Sequence, residues 1–191
     1  MKIKKIMISL FILLNLIQPI QATTLTNDQI NQLLVQLNEN FAHYENTNPQ
    51  QGYCITIQTN PTLQAKLTPY GGTRSTKLLS GIPTNESDYV KKCPFCQYSQ
   101  KNYTDKQIVK TFNDGTYAVT SMSNQVLVIP DKHYPHLFNA PFEQQRVILK
   151  NIMQIRDENQ DNIYGPIEFH CGSAAGQTVF HIHGRTGVYI K

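Results

Sequence analysis

Phe169-His170-Cys171-Gly172-Ser173-Ala174-Ala175-Gly176-Gln177-Thr178-Val179-Phe180-His181-Ile182-His183-Gly184-Arg185 sets two histidines at alternate positions directly after a loop of glycines and small residues. Val179 to Ile190 reads as a β-strand. Side chains repeat every second residue along a strand, so His181 and His183 are predicted on one face. The glycines leave backbone N–H groups able to hold an anion beside those imidazoles. A neutral imidazole can attack phosphorus and split one displacement into two easier ones. It needs its second nitrogen fixed by a carbonyl, and it needs donors for the phosphoryl oxygens. His183 suits the nucleophile's role. The amides around Gly176, Gln177 and Thr178 suit the second need, with the Thr178 hydroxyl and the Arg185 guanidinium as added donors. The bland alternative is a strand with two outward histidines beside a glycine-rich turn.

Upstream, the stretch Cys93-Pro94-Phe95-Cys96 reads as a turn and offers two thiols at a common zinc spacing. His133, after the apolar run Val126 to Ile129, and His181 complete a four-ligand set, with His136 a weaker competitor for the third place. The same cysteines also read as a disulfide or a redox pair, and Cys54 and Cys171 remain for a second disulfide. A thioredoxin-like βαβ pattern around Cys93 is not found.

The chain has 191 residues, enough for one modest domain. Lys2, Lys4 and Lys5 precede an apolar run from Ile6 to Leu16, and Ile20-Gln21-Ala22 offers a cleavage site. Residues 1–22 therefore read as a secretory signal peptide, and the mature chain is expected to be secreted or periplasmic. The alternative, an uncleaved anchor, meets an apolar run short of the about 20 residues a span requires. The formal charge is +4, from 17 basic and 13 acidic residues; without the three signal lysines 14 face 13, a balance of +1. That balance argues against a general nucleic-acid surface, and after signal cleavage nothing calls for a membrane partner.

Thr26 and Asn27 cap a predicted helix from about Asp28 to Tyr44, with Ile30, Leu33, Leu34, Leu37 and Phe41 on one face. Tyr53 to Gln58 alternates like a strand, whereas Thr68 to Ser87 reads mostly as loop, with Arg74 and Lys77 either over a site or solvated. Ile108–Phe112 and Thr116–Thr120 form a hairpin about Asn113-Asp114-Gly115, and Pro141 opens a helix from Phe142 to about Asn159. Ile167–His170 is a further strand. The expected architecture is a single α+β domain, an antiparallel sheet with packed helices.

Three ordered segments, Cys93-x-x-Cys96, Asn124 to His133 with its Pro130-x-x-His133, and Gly172-x-x-x-Gly176-Gln177-Thr178-Val179-x-His181-Ile182-His183, resemble the histidine-triad (HIT-like) superfamily. They are nearest its galactose-1-phosphate uridylyltransferase and dinucleoside polyphosphate phosphorylase branches. The match covers roughly 90–191, leaving 23–89 as an N-terminal extension. The resemblance implies that His183 attacks an α-phosphorus and becomes nucleotidylated, that Gly176 and Thr178 touch phosphate, and that Cys93, Cys96, His133 and His181 hold zinc. It implies a nucleotide or nucleoside polyphosphate substrate, and family members often form a homodimer through strands or helices beside the site. Two positions depart: Arg185 replaces the family's histidine or glutamine, and His170 stands at its usual asparagine. Arginine stays protonated and cannot act as a general acid, but it can neutralise a phosphate. Both stand as catalytic-site candidates. The expected function is thus a phosphoanhydride-cleaving nucleotidyl transferase, phosphorylase or hydrolase. The rival reading is a catalytically silent nucleotide- or polyphosphate-binding protein, favoured by Arg185.

Overall fold

Thr26 starts the first helix through a reciprocal cap. The Gln29 N–H donates to Thr26 Oγ1 at 3.2 Å, and the Thr26 N–H donates to Gln29 Oε1 at 2.9 Å. This helix is α1 (Asn27–Thr47). The chain continues through β1 (Gly52–Gln58), β2 (Gln64–Tyr70), a short helix α2 (Pro94–Ser99), β3 (Ile108–Thr111), β4 (Tyr117–Thr120) and β5 (Gln125–Ile129). It ends with α3 (Phe142–Glu158), β6 (Ile167–Cys171) and β7 (Gly184–Tyr189). The computed structural model describes residues 25–47, 52–70, 93–99, 107–177 and 179–190. The signal segment 1–22, the loop with Arg74 and Lys77, and Thr178 lie outside the described residues.

Among the described residues, seven strands form one antiparallel sheet in the order β2-β1-β6-β7-β5-β4-β3. The last two strands of the chain fill the gap between the β1–β2 hairpin and the β3–β5 meander. Residues 27–70, read from sequence as an extension, thereby supply α1 and two strands to this same sheet. The α+β architecture is the one the sequence predicts.

Burial alternates along β6: Ile167, Phe169 and Cys171 are buried, while Glu168 and His170 are half-buried. The buried set packs with Ile55, Ile57, Val126, Val128 and Val188 against Leu34 of α1 and Ile148 and Ile152 of α3. Each such side chain contributes about 1.5–3 kcal/mol when fully buried. Both long helices cover that one face, tied together by Asn38 Nδ2 donating to Gln145 Oε1 at 2.9 Å. The opposite face carries a small apolar patch of Tyr117, Val119, Leu127 and Ile129 under Phe95. Beside the patch runs a polar stripe set by the register, in which Cys54 faces His170, Thr56 faces Glu168, and Glu168 faces Arg185.

Three sequence expectations change. Residues 68–70, predicted as loop, finish β2; Pro69 is accommodated because β2 is the outermost strand, where a missing N–H breaks no ladder. The Cys93–Cys96 turn is the start of α2, with Pro94 at the first helical position. The Cys54–Cys171 disulfide left open by the sequence does not form, since the two residues point to opposite faces of the sheet and all four cysteines are free thiols. No helix among the described residues is long and apolar enough to cross a membrane.

Arg156 of α3 is 5% exposed, and its Nη1 donates to Gly165 O at 2.9 Å and to Thr186 O. Gly187 lies against this clamp with φ +73, and a Cβ there would sit 2.2 Å from Gly165 O and 2.7 Å from Arg156 Nη1. We expect Gly187→Ala to cost about 3 kcal/mol or more, because backbone is the obstacle and the φ is unfavourable. Urea unfolding checks this: the midpoint falls at an unchanged slope.

Candidate functional site

Cys93 and Cys96, three residues apart at the start of α2, present both thiols to the same side. His133 comes from the segment after β5, and His181 arrives from the loop before β7. Cys93 Sγ lies 3.4 Å and Cys96 Sγ 3.5 Å from His181 Nδ1, and Cys96 Sγ lies 3.3 Å from His133 Nδ1. All four ligand atoms fall within 4.8 Å of one another. Zinc–sulfur bonds of about 2.3 Å and zinc–nitrogen bonds of about 2.0–2.1 Å in a tetrahedron place S and N about 3.5 Å apart. The observed spacings match. His181 Nε2 donates to Pro130 O at 2.9 Å, which fixes the tautomer and turns the Nδ1 lone pair to the thiols. Burial pushes the Cys96 thiol up to about 12, aided by Cys93, and burial holds His181 down to about 3. Two closely packed sulfurs and a neutral imidazole gain from a divalent ion, which deprotonates its thiols. The donor set fits zinc.

The predicted strand from Val179 to Ile190 begins only at Gly184. The preceding residues bend: the His181 N–H donates to Val179 O at 2.8 Å, and the Ile182 N–H donates to Tyr134 O at 2.7 Å. Alternation along a ladder therefore does not place the two histidines. Both imidazoles nonetheless meet the Phe95 ring, with centroids at 5.8 Å for His181 and 5.2 Å for His183. His183 is 9% exposed, and its Nδ1 donates to His181 O at 2.8 Å, which leaves Nε2 to carry the reactive lone pair. Burial lowers the His183 pKa to about 4, and the nearby Arg185 and His170 push it the same way. The ring is a neutral base near pH 7.

Gly172 to Gly176 wraps into a single 3-10 turn, Ser173–Ala175. Sequence reasoning offers the amides of Gly176, Gln177 and Thr178 to a phosphate. The structure corrects this for Gln177, whose N–H donates to Gly172 O at 3.2 Å, as does that of Ala175 at 3.1 Å. The Gln177 side chain is 2% exposed; its Oε1 accepts from the Gly172 N–H at 2.7 Å and its Nε2 donates to Pro135 O at 2.6 Å. Gln177 is a brace, holding the loop to the segment that carries His133. Gly176 remains at the loop's end with φ 87.

His136, the weaker ligand candidate, takes no part in the thiol cluster. It shares a 2.8 Å hydrogen bond with Tyr53 Oη and packs against Phe41, and burial lowers its pKa to about 4. A histidine held below its unfolded value of 6.5 stabilises the fold above that pH, and this contribution is lost as pH falls towards 4. The stability difference between wild type and His136→Phe is therefore expected to shift in the variant's favour by up to roughly 3 kcal/mol between pH 6.5 and 4. Denaturant midpoints at both pH values check the sign.

Arg185 and His170 both lie on the open face, half-buried. Arg185 sits opposite Glu168 in the ladder, and His170 lies near enough to His183 to help lower its pKa. His170 Nε2 is 3.6 Å from Glu168 Oε2. Sequence reasoning did not single out Glu168 and considered Cys54 only for a disulfide. The half-buried acid alternating with His170 in Ile167-Glu168-Phe169-His170 was the available signal.

No protein-family model and no curated protein sequence matches the chain. Solved structures do. A uridylyltransferase mutant aligns with 87% of this chain and 62% of its own length, at 16% identity and a TM-score of 0.55. A second uridylyltransferase aligns with 87% of this chain and 60% of its own, at 17% identity and a TM-score of 0.55. The chain thus spans about three-fifths of those proteins, and at such identity the likeness speaks for architecture. With its seven-stranded antiparallel sheet and helices on one face, the chain shares the fold of these uridylyltransferases.

Proposed function

We propose that the chain is an enzyme that cleaves a nucleotide phosphoanhydride through a covalent nucleotidyl-histidine on His183. The observation that carries this reading is the buried His183 whose Nδ1 is committed to His181 O at 2.8 Å. In the first step the Nε2 lone pair forms a bond to the α-phosphorus, and the bond from that phosphorus to the bridging oxygen breaks. The leaving group departs with the electron pair. The ring becomes cationic, and the Nδ1–H donated to His181 O stabilises that charge. In the second step an acceptor oxygen, from phosphate, a phosphorylated sugar or water, displaces the histidine and gives its proton to solvent. Arg185 neutralises phosphoryl charge; being always protonated, it does not protonate the leaving group. Cys93, Cys96, His133 and His181 would hold a zinc ion, which would brace the His181 ring rather than take part in the chemistry. The His181 ring is then fixed at one end of the residue whose carbonyl orients the nucleophile.

The test uses nucleoside diphosphate sugars and dinucleoside polyphosphates labelled at the α-phosphorus. Acid-labile label on His183, located by mass spectrometry, is expected. Turnover without any labelled histidine overturns the reading. Arg185 favours a second reading, a nucleotide-binding protein without turnover. Calorimetric binding of the same panel with no product after long incubation supports that alternative. We propose also that residues 1–22 direct export, so that the mature protein begins at Thr23; N-terminal sequencing of protein recovered outside the cytoplasm tests it.

A further inference from the structure

A second group of metal-ligating side chains lies on the open face, apart from the Cys93 cluster. Cys54 of β1 and Glu168 and His170 of β6 bring one ligand atom each within 4.8 Å of one another. The ladder builds this arrangement: Cys54 is directly opposite His170, and Glu168 is two residues further along the same face of β6. The His170 Nε2 to Glu168 Oε2 separation of 3.6 Å is too long for a direct hydrogen bond. It is close to the about 3.4 Å that separates two ligands of one tetrahedral ion with bonds of about 2.0–2.1 Å. Cys54 is 6% exposed, is not in a disulfide, and has only weak sulfur contacts at 3.8 Å to Ile55 O and 3.9 Å to Thr56 Oγ1.

We propose that Cys54, Glu168 and His170 form a second divalent-metal site, of zinc type, with three protein ligands and one open position. Thiolate, imidazole and carboxylate are the donors a borderline-soft ion accepts, and three of them with an open place is the layout of a reactive zinc site. Charge agrees. A thiolate and a carboxylate cancel the ion's two positive charges, so Arg185, paired in register with Glu168, keeps its own charge for an anion. The open position lies on the face of the sheet that carries His170 and Arg185, two residues along the chain from His183. The ligand that fills it is accordingly an oxygen of a phosphate group. This last clause rests on the proposed reaction at His183; the metal site itself does not.

The test is metal binding by the full mature chain, with activity left aside. Equilibrium dialysis against micromolar zinc is expected to give two equivalents per chain for wild type, and one for Cys54→Ala and for His170→Ala, with circular dichroism unchanged. In the cobalt-loaded protein, Cys54→Ala should remove one of three thiolate contributions to the near-ultraviolet charge-transfer band, and inorganic phosphate should shift the visible bands of wild type only. One equivalent in wild type, or two retained in both variants, overturns the site. Two equivalents with no response of the cobalt spectrum to phosphate overturns the open position as a phosphate place. Each result is independent of whether His183 becomes nucleotidylated.

Discussion

His183→Ala lowers kcat/KM on a nucleoside diphosphate sugar or dinucleoside polyphosphate by about 10,000-fold or more, the scale at which an enzyme loses its covalent nucleophile. The fold persists. The substitution removes one hydrogen bond, from Nδ1 to His181 O, worth about 1 kcal/mol, and the zinc ligand set is untouched. Thermal unfolding and zinc content should match wild type, which separates loss of chemistry from loss of structure. His183→Gly gives the complementary result. It opens space beside Phe95, whose ring centroid is 5.2 Å from that of His183, and added imidazole should restore part of the turnover. Turnover unchanged in His183→Ala assigns the chemistry to another residue, whatever the fold.

Residue patterns carried the parts of the fold whose burial is regular. The stripe of α1 and the Ile148, Ile152 and Ile155 face of α3 are buried as the helical period requires. The turn at Asn113-Asp114-Gly115 is legible because its chemistry is local, with Asp114 Oδ1 accepting from the Thr116 N–H at 2.8 Å. β2 is not legible, because its solvent side is polar and Pro69 signals a break; only its place at the sheet edge makes proline harmless. The segment from Val179 to His183 misleads for a different reason. Extended chain and paired strand share one sequence pattern, and the deciding fact is that the Ile182 N–H goes to Tyr134 O, outside any strand.

The site divides the same way. Four side chains able to hold a metal, from three separated motifs, converge in space, because cysteine and histidine at such spacings have few other reasons to recur together. The bracing role of Gln177 was not legible because a glutamine has no spacing signature that tells a brace from a phosphate contact; its partners, Gly172 and Pro135, are known only once the loop is folded. Glu168 went unremarked and Cys54 was considered only for a disulfide, because the β1–β6 register that joins them links distant parts of the chain. What brings chemistry together across a sheet is register, and one sequence read without partners does not contain it.

Cys93→Ser or Cys96→Ser releases the zinc held with His133 and His181, and stability and turnover fall together. Zinc at 1,000 times its Kd stabilises the folded chain by about 4.1 kcal/mol. Losing that contribution lowers Tm by roughly 8–16 °C for a domain of this size. Chelator treatment of wild type should give the same drop, reversed by added zinc, whereas the variants should not recover. Turnover falls for a geometric reason. His181 would be fixed at Nδ1 by the zinc, is held at Nε2 by Pro130 O, and its carbonyl holds His183 Nδ1. Freed of the metal, the His181 ring can rotate and its backbone can shift, so the nucleophile loses orientation at constant chemistry. Loss of a partner that orients a ligand or nucleophile typically costs 10–100-fold, far short of what His183→Ala costs. A graded loss in kcat with the nucleotidylated histidine still detectable is therefore the expected pattern. Complete loss of the covalent intermediate in a folded, zinc-free variant would instead make the metal a participant in the chemistry rather than a brace beside it.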